Sequence, residues 1–196
     1  MLYILKTRNQ YKNIIIATLL LLFSFHATSA YSQVVRHHNK FIEDSGNVLL
    51  FAIPAAAVAT TFIYHDKKGF WQYAKSFALN EAVTGVLKVS INKYRPYQKG
   101  KRAFPSGHTS TTFQSASFIH RRYGFTKSIP FYLLAGYTAF SRLNAERHDG
   151  YDVLAGAVVG IGSTLIFTTP YEKEHMNLTF DRDIDNDWLL GFTYRF

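Results

Sequence analysis

The sequence predicts an all-α protein, a bundle of five to six helices followed by a short C-terminal β-hairpin. The chain has 196 residues, of which 47% are hydrophobic, which suits one folded domain and excludes a disordered chain. Five apolar or amphipathic stretches with helical spacing follow one another. The C-terminal tail instead alternates apolar and polar residues, as β-strands do.

Five helices are predicted between the two termini, at 45–64, 70–92, 106–123, 128–142 and 151–168. Pro54 predicts a kink or a late start in the first of them. Gly156, Gly160 and Gly162 predict close helix approach in the last, which Pro170 ends.

The tail is predicted to form a hairpin from strands at 176–180 and 188–196, joined by an acidic turn. A terminal aromatic strand is also found in outer-membrane barrels, but two strands cannot close a barrel. We therefore expect the hairpin to pack against the helices.

The N-terminus predicts export from the cytoplasm. Basic residues precede an apolar run at 14–23, and small residues follow up to Ala30, as in a secretory signal peptide cleaved after Ala30. The stretch between Lys12 and Arg36 carries no charge, so an uncleaved membrane anchor is the alternative. The expected division is a leader or anchor at 1–30, a helical domain at 31–170 and a tail at 171–196.

The composition limits which partners and which kinds of active site the chain can have. The chain has 22 Lys and Arg against 13 Asp and Glu, a net charge of +9, which favours nucleic acid, acidic lipid surfaces or phosphorylated substrates as partners. It has no cysteine, which excludes disulfide frameworks, thiolate zinc sites and cysteine nucleophiles.

Two segments predict phosphate binding. Lys88 and Arg95 are seven residues apart, about two helical turns, so both cations lie near one face if the helix continues, although such residues at a helix end are often simply solvated. Ser106 can cap the helix that follows Pro105, and free backbone amides at a helix start bind anions. Gly107 allows close approach to the backbone, and His108 is within reach of the bound anion; an ordinary cap with a surface histidine is the alternative.

A third segment predicts an activated histidine. His148 and Asp152 are four residues apart and share a helix face, shortly after Ser141 and Arg142. A carboxylate there fixes the imidazole tautomer and leaves the other ring nitrogen free to attack. A surface His–Asp pair is the alternative when this segment is taken alone.

Together, the three segments resemble the tripartite signature of the type-2 phosphatidic acid phosphatase superfamily, K-x6-R-P, P-S-G-H and S-R-x5-H-x3-D. Every fixed position of the signature is present in order and register: Lys88, Arg95, Pro96, Pro105, Ser106, Gly107, His108, Ser141, Arg142, His148 and Asp152. The resemblance covers about 45–168, including the order of the helices. One position departs from it, because Asp149 follows His148 where an aromatic residue is usual; this leaves the pH optimum open.

The resemblance implies a phosphatase that works through a phosphohistidine. His148 would attack phosphorus, Asp152 would orient it, and His108 would protonate the departing oxygen and then activate water. The residues implied to hold the phosphoryl oxygens are Lys88, Arg95, Ser106, Gly107 and Arg142. Neither a metal nor another cofactor is implied.

Other classes fit the sequence less well. Vanadium haloperoxidases of the superfamily are several times longer, and non-catalytic relatives should have lost His108 or His148. Nucleic-acid binding is supported by the net charge alone, and the lysine and arginine residues of the signature already have a role in holding phosphate. The expected partner is a phosphorylated lipid or small phosphoester, with phosphatidate, polyprenyl diphosphate and lipid A phosphate all open; the sequence says nothing of the oligomeric state.

The helix order also predicts a topology. If the N-terminal run counts as a sixth helix that starts inside, every motif lies outside, and the short inner connections at 65–68 and 120–127 are basic, as the positive-inside rule expects. This favours the bacterial cell envelope with the site facing the periplasm. A mean hydropathy of −0.06, a polar third helix and a charged second helix favour a soluble periplasmic enzyme instead.

Overall fold

The computed structural model describes residues 39–171, 176–182 and 188–194. The predicted leader or anchor at 1–30 lies outside the described residues. Five α-helices are present in the described part, together with a 3-10 turn at Pro96–Gln98 before the third of them. The α-helices are α1 Lys40–Ile63, α2 Lys67–Ile91, α3 Gly107–Tyr123, α4 Phe125–Asn144 and α5 Gly150–Phe167.

Side-chain caps explain where four of these helices begin. Asn39 accepts from the Phe41 amide before α1, and Asp66 accepts from the Gly69 amide before α2. Ser106 caps α3, and Asp149 forms a capping box with Asp152 at the start of α5.

The predicted late start of the first helix is wrong. The helix begins at Lys40, five residues before the predicted 45, and runs through Pro54. The Asn39 cap sets this start, and an interior proline removes only one backbone hydrogen bond from a helix of 24 residues.

Helix α3 forms the centre of the bundle. It packs against α1, α2, α4 and α5, whereas α4 and α5 scarcely contact each other. The buried side chains of α3 are mostly hydroxyls and a carboxamide, and they bond within the bundle: Ser117 donates to Thr164 at 2.7 Å, and Gln114 donates to Ser76 at 2.8 Å.

The distribution of polar and apolar side chains is therefore the reverse of that in a water-soluble helical bundle. Small polar side chains dominate the interior, while large apolar side chains such as Phe51, Val86 and Leu133 are exposed. The polar third helix consequently gives no argument against a membrane, because its hydroxyls face other helices. Among the described helices, α1 and α5 are long and apolar enough to cross a bilayer.

Two of the three predicted glycine contacts bring α5 against α3. A Cβ added at Gly156 would lie 2.6 Å from the Ser106 carbonyl oxygen, and one at Gly160 would lie 2.3 Å from that of Ser110. The prediction for Gly162 is wrong, since a Cβ there would have no atom within 4 Å. Gly162 lies off the face that α5 turns toward α3.

The tail contains two antiparallel strands, β1 Met176–Arg182 and β2 Trp188–Tyr194. Their register pairs Leu178 with Phe192 and Phe180 with Leu190. The predicted turn between them falls partly outside the described residues, and packing of the hairpin on the helices stays a prediction.

A buried ion pair ties together the other end of the bundle, away from the motifs. The Arg122 guanidinium grips both oxygens of Asp66, at 2.6 and 2.8 Å, and the Tyr123 hydroxyl donates to the same carboxylate at 3.0 Å. Burial alone would raise the pKa of Asp66, but these hydrogen bonds, the Gly69 amide and the Arg122 charge outweigh it and lower the pKa.

Candidate active site

The three predicted segments meet at one end of the bundle. The end of α2 and the loop after it carry Lys88 and Arg95, the start of α3 carries Ser106 to His108, and the facing ends of α4 and α5 carry the third segment. Two hydrogen bonds join the segments directly. Lys88 Nζ donates to the Pro105 carbonyl at 2.6 Å, and the Ser106 amide donates to the Asp152 carbonyl at 2.8 Å.

His148 lies over a fully buried carboxylate. Its Nδ1 is 3.5 Å from Asp152 Oδ2, the outer limit of a hydrogen bond, and is buried without a well-aligned partner. This nitrogen faces Asp152, so Nε2 is the ring atom left to meet a ligand. A small rotation on ligand binding would close the Nδ1 contact, as catalytic hydrogen bonds commonly do.

Lys93 is a third member of this group that the sequence analysis missed. Its ammonium donates to Asp152 Oδ1 at 2.8 Å and also to Asp149. Burial opposes the charge on Lys93, but the two hydrogen bonds and the two carboxylate charges outweigh it and raise the pKa of Lys93. The only sequence signal was its place among the basic residues of the loop.

Asp149 acts as a helix cap and a partner of Lys93. Its side chain accepts from the Asp152 amide at 3.1 Å, and its own amide donates to Asp152 Oδ2 at 3.1 Å. These contacts account for a carboxylate beside His148, because the charge is met by Lys93 and by the amides at the start of α5.

Asn47 joins the other histidine to the third cation. Arg142 Nη1 donates to Asn47 Oδ1 at 2.8 Å, and His108 Nε2 lies 3.0 Å from the same oxygen. An arginine only donates, so the shared oxygen is an acceptor, and the neutral His108 carries its proton on Nε2. Arg142 also donates to the Glu43 carbonyl at 2.6 Å, which fixes it to α1.

His108 is held neutral in the free protein. Burial lowers its pKa to about 4, and the positive charges of Arg142 and Lys88 act in the same direction. The pKa of Lys88 is also lowered, first by burial and then by the charge of Arg95. Because each of these positive charges makes its neighbours harder to protonate, an anion bound between them stabilises the charged form of all of them.

Arg95 provides an unfilled donor. Its backbone amide is fixed by the Gly100 carbonyl at 2.8 Å, while its Nε is buried and has no hydrogen-bond partner. Gly107 lies opposite Lys88, since an added Cβ would be 3.6 Å from Lys88 Cε. Two of the four buried side-chain atoms without partners in the described residues thus belong to this site, His148 Nδ1 and Arg95 Nε.

The family model described as the PAP2 superfamily matches residues 69–175, which include all three segments. The chain belongs to this superfamily. This confirms the resemblance drawn from the motifs, and the all-α fold agrees with it. The roles of the individual PAP2 motif residues in this chain stay predictions.

Two curated relatives are informative. The chain is 25% identical over 179 residues to a lipid A 4'-phosphatase from Helicobacter pylori, which covers 84% of this chain and 90% of the relative. It is 37% identical over 110 residues to a lipid A 1-phosphatase from Porphyromonas gingivalis, covering 51% of this chain but only 24% of that protein.

A solved structure shares the fold of this PAP2 chain. The crystal structure of Aquifex aeolicus LpxE matches with a TM-score of 0.57 at 22% sequence identity. The match covers 64% of this chain and 82% of the LpxE chain. At this identity the likeness concerns the arrangement of the helices.

Asn47 and Glu43 were also missed by the sequence analysis, which assigned no site residue to the first helix. Both lie on α1, far from the motifs in sequence, and they act through a side-chain oxygen and a backbone carbonyl. The available signal was weak, because Asn47 follows other polar residues, Glu43, Asp44 and Ser45, at the start of the helix.

Proposed function

We propose that this protein is a membrane-associated lipid phosphatase that removes phosphate from a phosphorylated lipid through a phosphohistidine on His148. One observation carries the proposal. A histidine backed by a buried aspartate lies at the bundle end where Lys88, Arg95 and Arg142 converge, and the buried Arg95 Nε there has no hydrogen-bond partner.

The comparisons confirm that the enzyme is a phosphatase, because the chain belongs to the PAP2 superfamily and the two curated relatives are lipid A phosphatases. A lipid substrate is supported by the same relatives, which act on lipid A. The exposed apolar surface of the bundle supports it independently, since such a surface belongs in contact with lipid.

The first chemical step transfers the phosphoryl group to the protein. His108 takes up a proton when the substrate anion binds. The lone pair of His148 Nε2 attacks phosphorus, the bond from phosphorus to the lipid oxygen breaks, and the protonated His108 gives that oxygen its proton. Asp152 stabilises the positive charge that grows on His148. The charge on the phosphoryl oxygens is met by Lys88, Arg95, Arg142 and the amides at the start of α3.

The second step returns the protein to its starting state. His108, now neutral, accepts a proton from water as the water oxygen attacks phosphorus. The bond from phosphorus to His148 breaks, inorganic phosphate leaves, and His108 releases the proton to solvent once the anion is gone. The residues of this chain suffice for both steps as written.

The proposed orientation, with the site facing the periplasm, rests on the short basic connections at the opposite end and not on a charge difference between the two ends, because Lys99, Lys101, Arg102 and Arg147 are exposed at the site end. The end opposite the site carries exposed Lys67, Lys68, Arg121 and Lys127, while Arg122 is neutralised by Asp66. Basic residues accumulate on the cytoplasmic side of membrane proteins. With that end inside, His148 would face out.

A substrate panel tests the proposed function. Detergent-solubilised protein is given phosphatidate, a polyprenyl diphosphate, lipid A and p-nitrophenyl phosphate, and released phosphate is measured with His148→Ala as the blank. The proposal expects phosphate from at least one lipid, at a higher kcat/KM than from p-nitrophenyl phosphate. Hydrolysis of p-nitrophenyl phosphate alone would contradict the lipid substrate, and no release from any of the four would contradict the phosphatase.

A further inference from the structure

One nitrogen of His108 is held by a residue that lies outside the three motifs. Asn47 Oδ1, on α1, lies 3.0 Å from His108 Nε2 and accepts a hydrogen bond from Arg142 Nη1 at 2.8 Å. Because arginine has donors only, this oxygen acts as an acceptor for both neighbours, so Nε2 carries a proton whether the imidazole is neutral or charged. Nδ1 is then the ring atom of His108 that gains and loses the second proton.

Nδ1 is available for that exchange. It has no hydrogen-bond partner in the described part of the chain, and it is not buried. The charged and titratable groups that face His108 are Arg142, His148, Lys88 and Glu43, which come from four different segments. Three of these four are motif residues, so the imidazole lies among the groups expected to surround a phosphoryl group.

Arg142 does not depend on Asn47 for its own position. Its Nε donates to Ser141 Oγ at 3.0 Å, and its Nη2 donates to the Glu43 carbonyl at 2.6 Å. Both hydrogen bonds remain when Asn47 is replaced. The hydrogen bond from Asn47 is therefore needed to hold His108 more than to hold the arginine.

The neutral charge of Asn47 suits a histidine that must both gain and lose a proton. Its oxygen lies between Arg142 and an imidazole that becomes positive when protonated. A carboxylate in this place would stabilise the imidazolium and keep the proton on it. A neutral acceptor fixes the ring without adding a negative charge, which is compatible with the pKa of about 4 of His108 in the free protein.

We propose that Asn47 is a positioning residue that keeps one proton on His108 Nε2 throughout the reaction, so that Nδ1 alone exchanges protons with substrate and water. This role rests on the proposed function. In the first step the proton on Nδ1 passes to the lipid oxygen as the bond from that oxygen to phosphorus breaks. In the second step the lone pair left on Nδ1 takes a proton from the attacking water. The imidazole need not change tautomer between the steps.

The first test removes the acceptor and compares leaving groups. Asn47→Leu replaces the amide by an apolar side chain of similar size. Ser45→Ala is the matched control, because the Ser45 and Tyr137 hydroxyls lie 2.8 Å apart and the control also loses one hydrogen bond between α1 and α4. Wild type and both variants are assayed in detergent with p-nitrophenyl phosphate and with phosphatidate or lipid A, whichever is hydrolysed.

These substrates separate the role of His108 as an acid from other losses. The alkoxide of a lipid leaves poorly without a proton, whereas p-nitrophenolate leaves unaided. The measured quantity is kcat/KM, because it includes the departure of the leaving group and excludes the later hydrolysis of the phosphohistidine.

Asn47→Leu should lower kcat/KM for the lipid at least about tenfold, which is part of the roughly 10²–10⁴-fold that general acid catalysis supplies. For p-nitrophenyl phosphate the loss should be less than about threefold, because Arg142 still binds the phosphoryl group and no proton is needed. Ser45→Ala should change kcat/KM for both substrates less than about twofold, as expected for a hydrogen bond away from the reacting groups.

The second test uses a readout that a merely structural role would not move. Asn47→Asp keeps an acceptor oxygen but adds a negative charge, so His108 should bind its proton at least about tenfold more tightly than in wild type. NMR titration of protein labelled at histidine measures this directly. The His108→Asn variant identifies the signal of His108 among those of the eight histidines.

Two outcomes would overturn the inference. One is a loss in Asn47→Leu that is equal for the two substrates or is matched by Ser45→Ala, which would make Asn47 a structural residue. The other is an unchanged proton affinity of His108 in Asn47→Asp. A wild-type protein that hydrolyses no phosphate ester would instead refute the proposed function, and the titration, which needs no turnover, would still decide whether Asn47 holds His108.

Discussion

At the scale of single residues, Asp152 is shared between a lysine and a histidine. Lys93 holds Oδ1 at 2.8 Å, and the Asp149 amide and His148 are both directed to Oδ2. Lys93 also neutralises Asp149, so one ammonium offsets two carboxylates at the start of α5. We infer that Lys93 positions Asp152 for His148 without contacting phosphate.

Removal of Lys93 should therefore destabilise the protein in a pH-dependent way. Lys93→Met leaves two neighbouring carboxylates uncompensated, and because Lys93 is about a third exposed we expect a loss of only about 1–2 kcal/mol in the free energy of unfolding at pH 7. The loss should shrink toward pH 4, where Asp152 of the variant, which no longer has the lysine that lowers its pKa, takes up a proton. Thermal unfolding of the two proteins at pH 7 and pH 4.5 measures it.

Lys99 provides the matched control. It pairs with Glu146 at 2.6 Å but is 57% exposed, so Lys99→Met should change the unfolding temperature little. Equal effects of the two substitutions, or a Lys93→Met deficit that grows as the pH falls, would contradict the role given to Lys93.

His108 should take up a proton when an anion binds. Burial, and then the neighbouring cations, lower its pKa to about 4 in the free protein, which keeps it neutral above that pH; a bound dianion offsets the cations. Sulfate binding near pH 5.5 should then be coupled to proton uptake, because sulfate itself does not titrate there. Calorimetry in two buffers of different ionisation enthalpy measures the protons taken up.

The His108→Asn variant separates this histidine from His148. It should bind sulfate with markedly smaller proton uptake at pH 5.5 than wild type. Proton uptake that is undiminished in His108→Asn would assign the titration to another group and remove the basis for His108 as the general acid.

At the scale of secondary-structure elements, the packing of α5 on α3 sets the distance between the two halves of the site. Gly160 permits this approach, and Gly160→Ala would place a Cβ 2.3 Å from the Ser110 carbonyl oxygen. Backbone atoms cannot move aside cheaply, so we expect a loss of about 1–3 kcal/mol in the free energy of unfolding, with reduced activity.

Gly162 gives a control on the same helix. An added Cβ there meets nothing within 4 Å, so Gly162→Ala should be neutral or stabilise by about 0.5–1 kcal/mol through helix propensity. Thermal unfolding in detergent compares the two variants. A Gly162→Ala variant as unstable as Gly160→Ala would show that glycine flexibility, not close packing, matters in α5.

The parts of the fold and the site that could be predicted from the sequence are those determined by residues close together along the chain. The helix start at Ser106 follows from neighbouring residues, and the structure has it. His148 and Asp152 also lie together, at 3.5 Å, but the prediction that they share a helix face is wrong, because α5 begins at Gly150 after the Asp149 cap and His148 precedes it. Asn47 and Lys93 became visible only in three dimensions, because their partners lie on other segments of the chain. Gly162 was misassigned because spacing alone does not say which face of α5 meets α3.

At the scale of the whole molecule, the hydropathy of the chain is explained by where its polar residues lie. Buried hydroxyls and amides of α2, α3 and α5 bond to one another, and the exposed apolar side chains cover the outside. The low mean hydropathy that favoured a soluble protein is thus compatible with a membrane. The fold places the charged side chains of the site at one end of an apolar bundle, where a lipid headgroup would lie.

The central claim is that His148 carries the phosphoryl group during turnover. It is tested most directly by trapping protein rapidly quenched after mixing with substrate labelled in the phosphate. Wild type should hold a label that survives base and is lost in acid, and His148→Ala should hold none and turn over at least about a thousandfold more slowly. A label that persists in a folded His148→Ala protein, or turnover near that of wild type, would contradict the account.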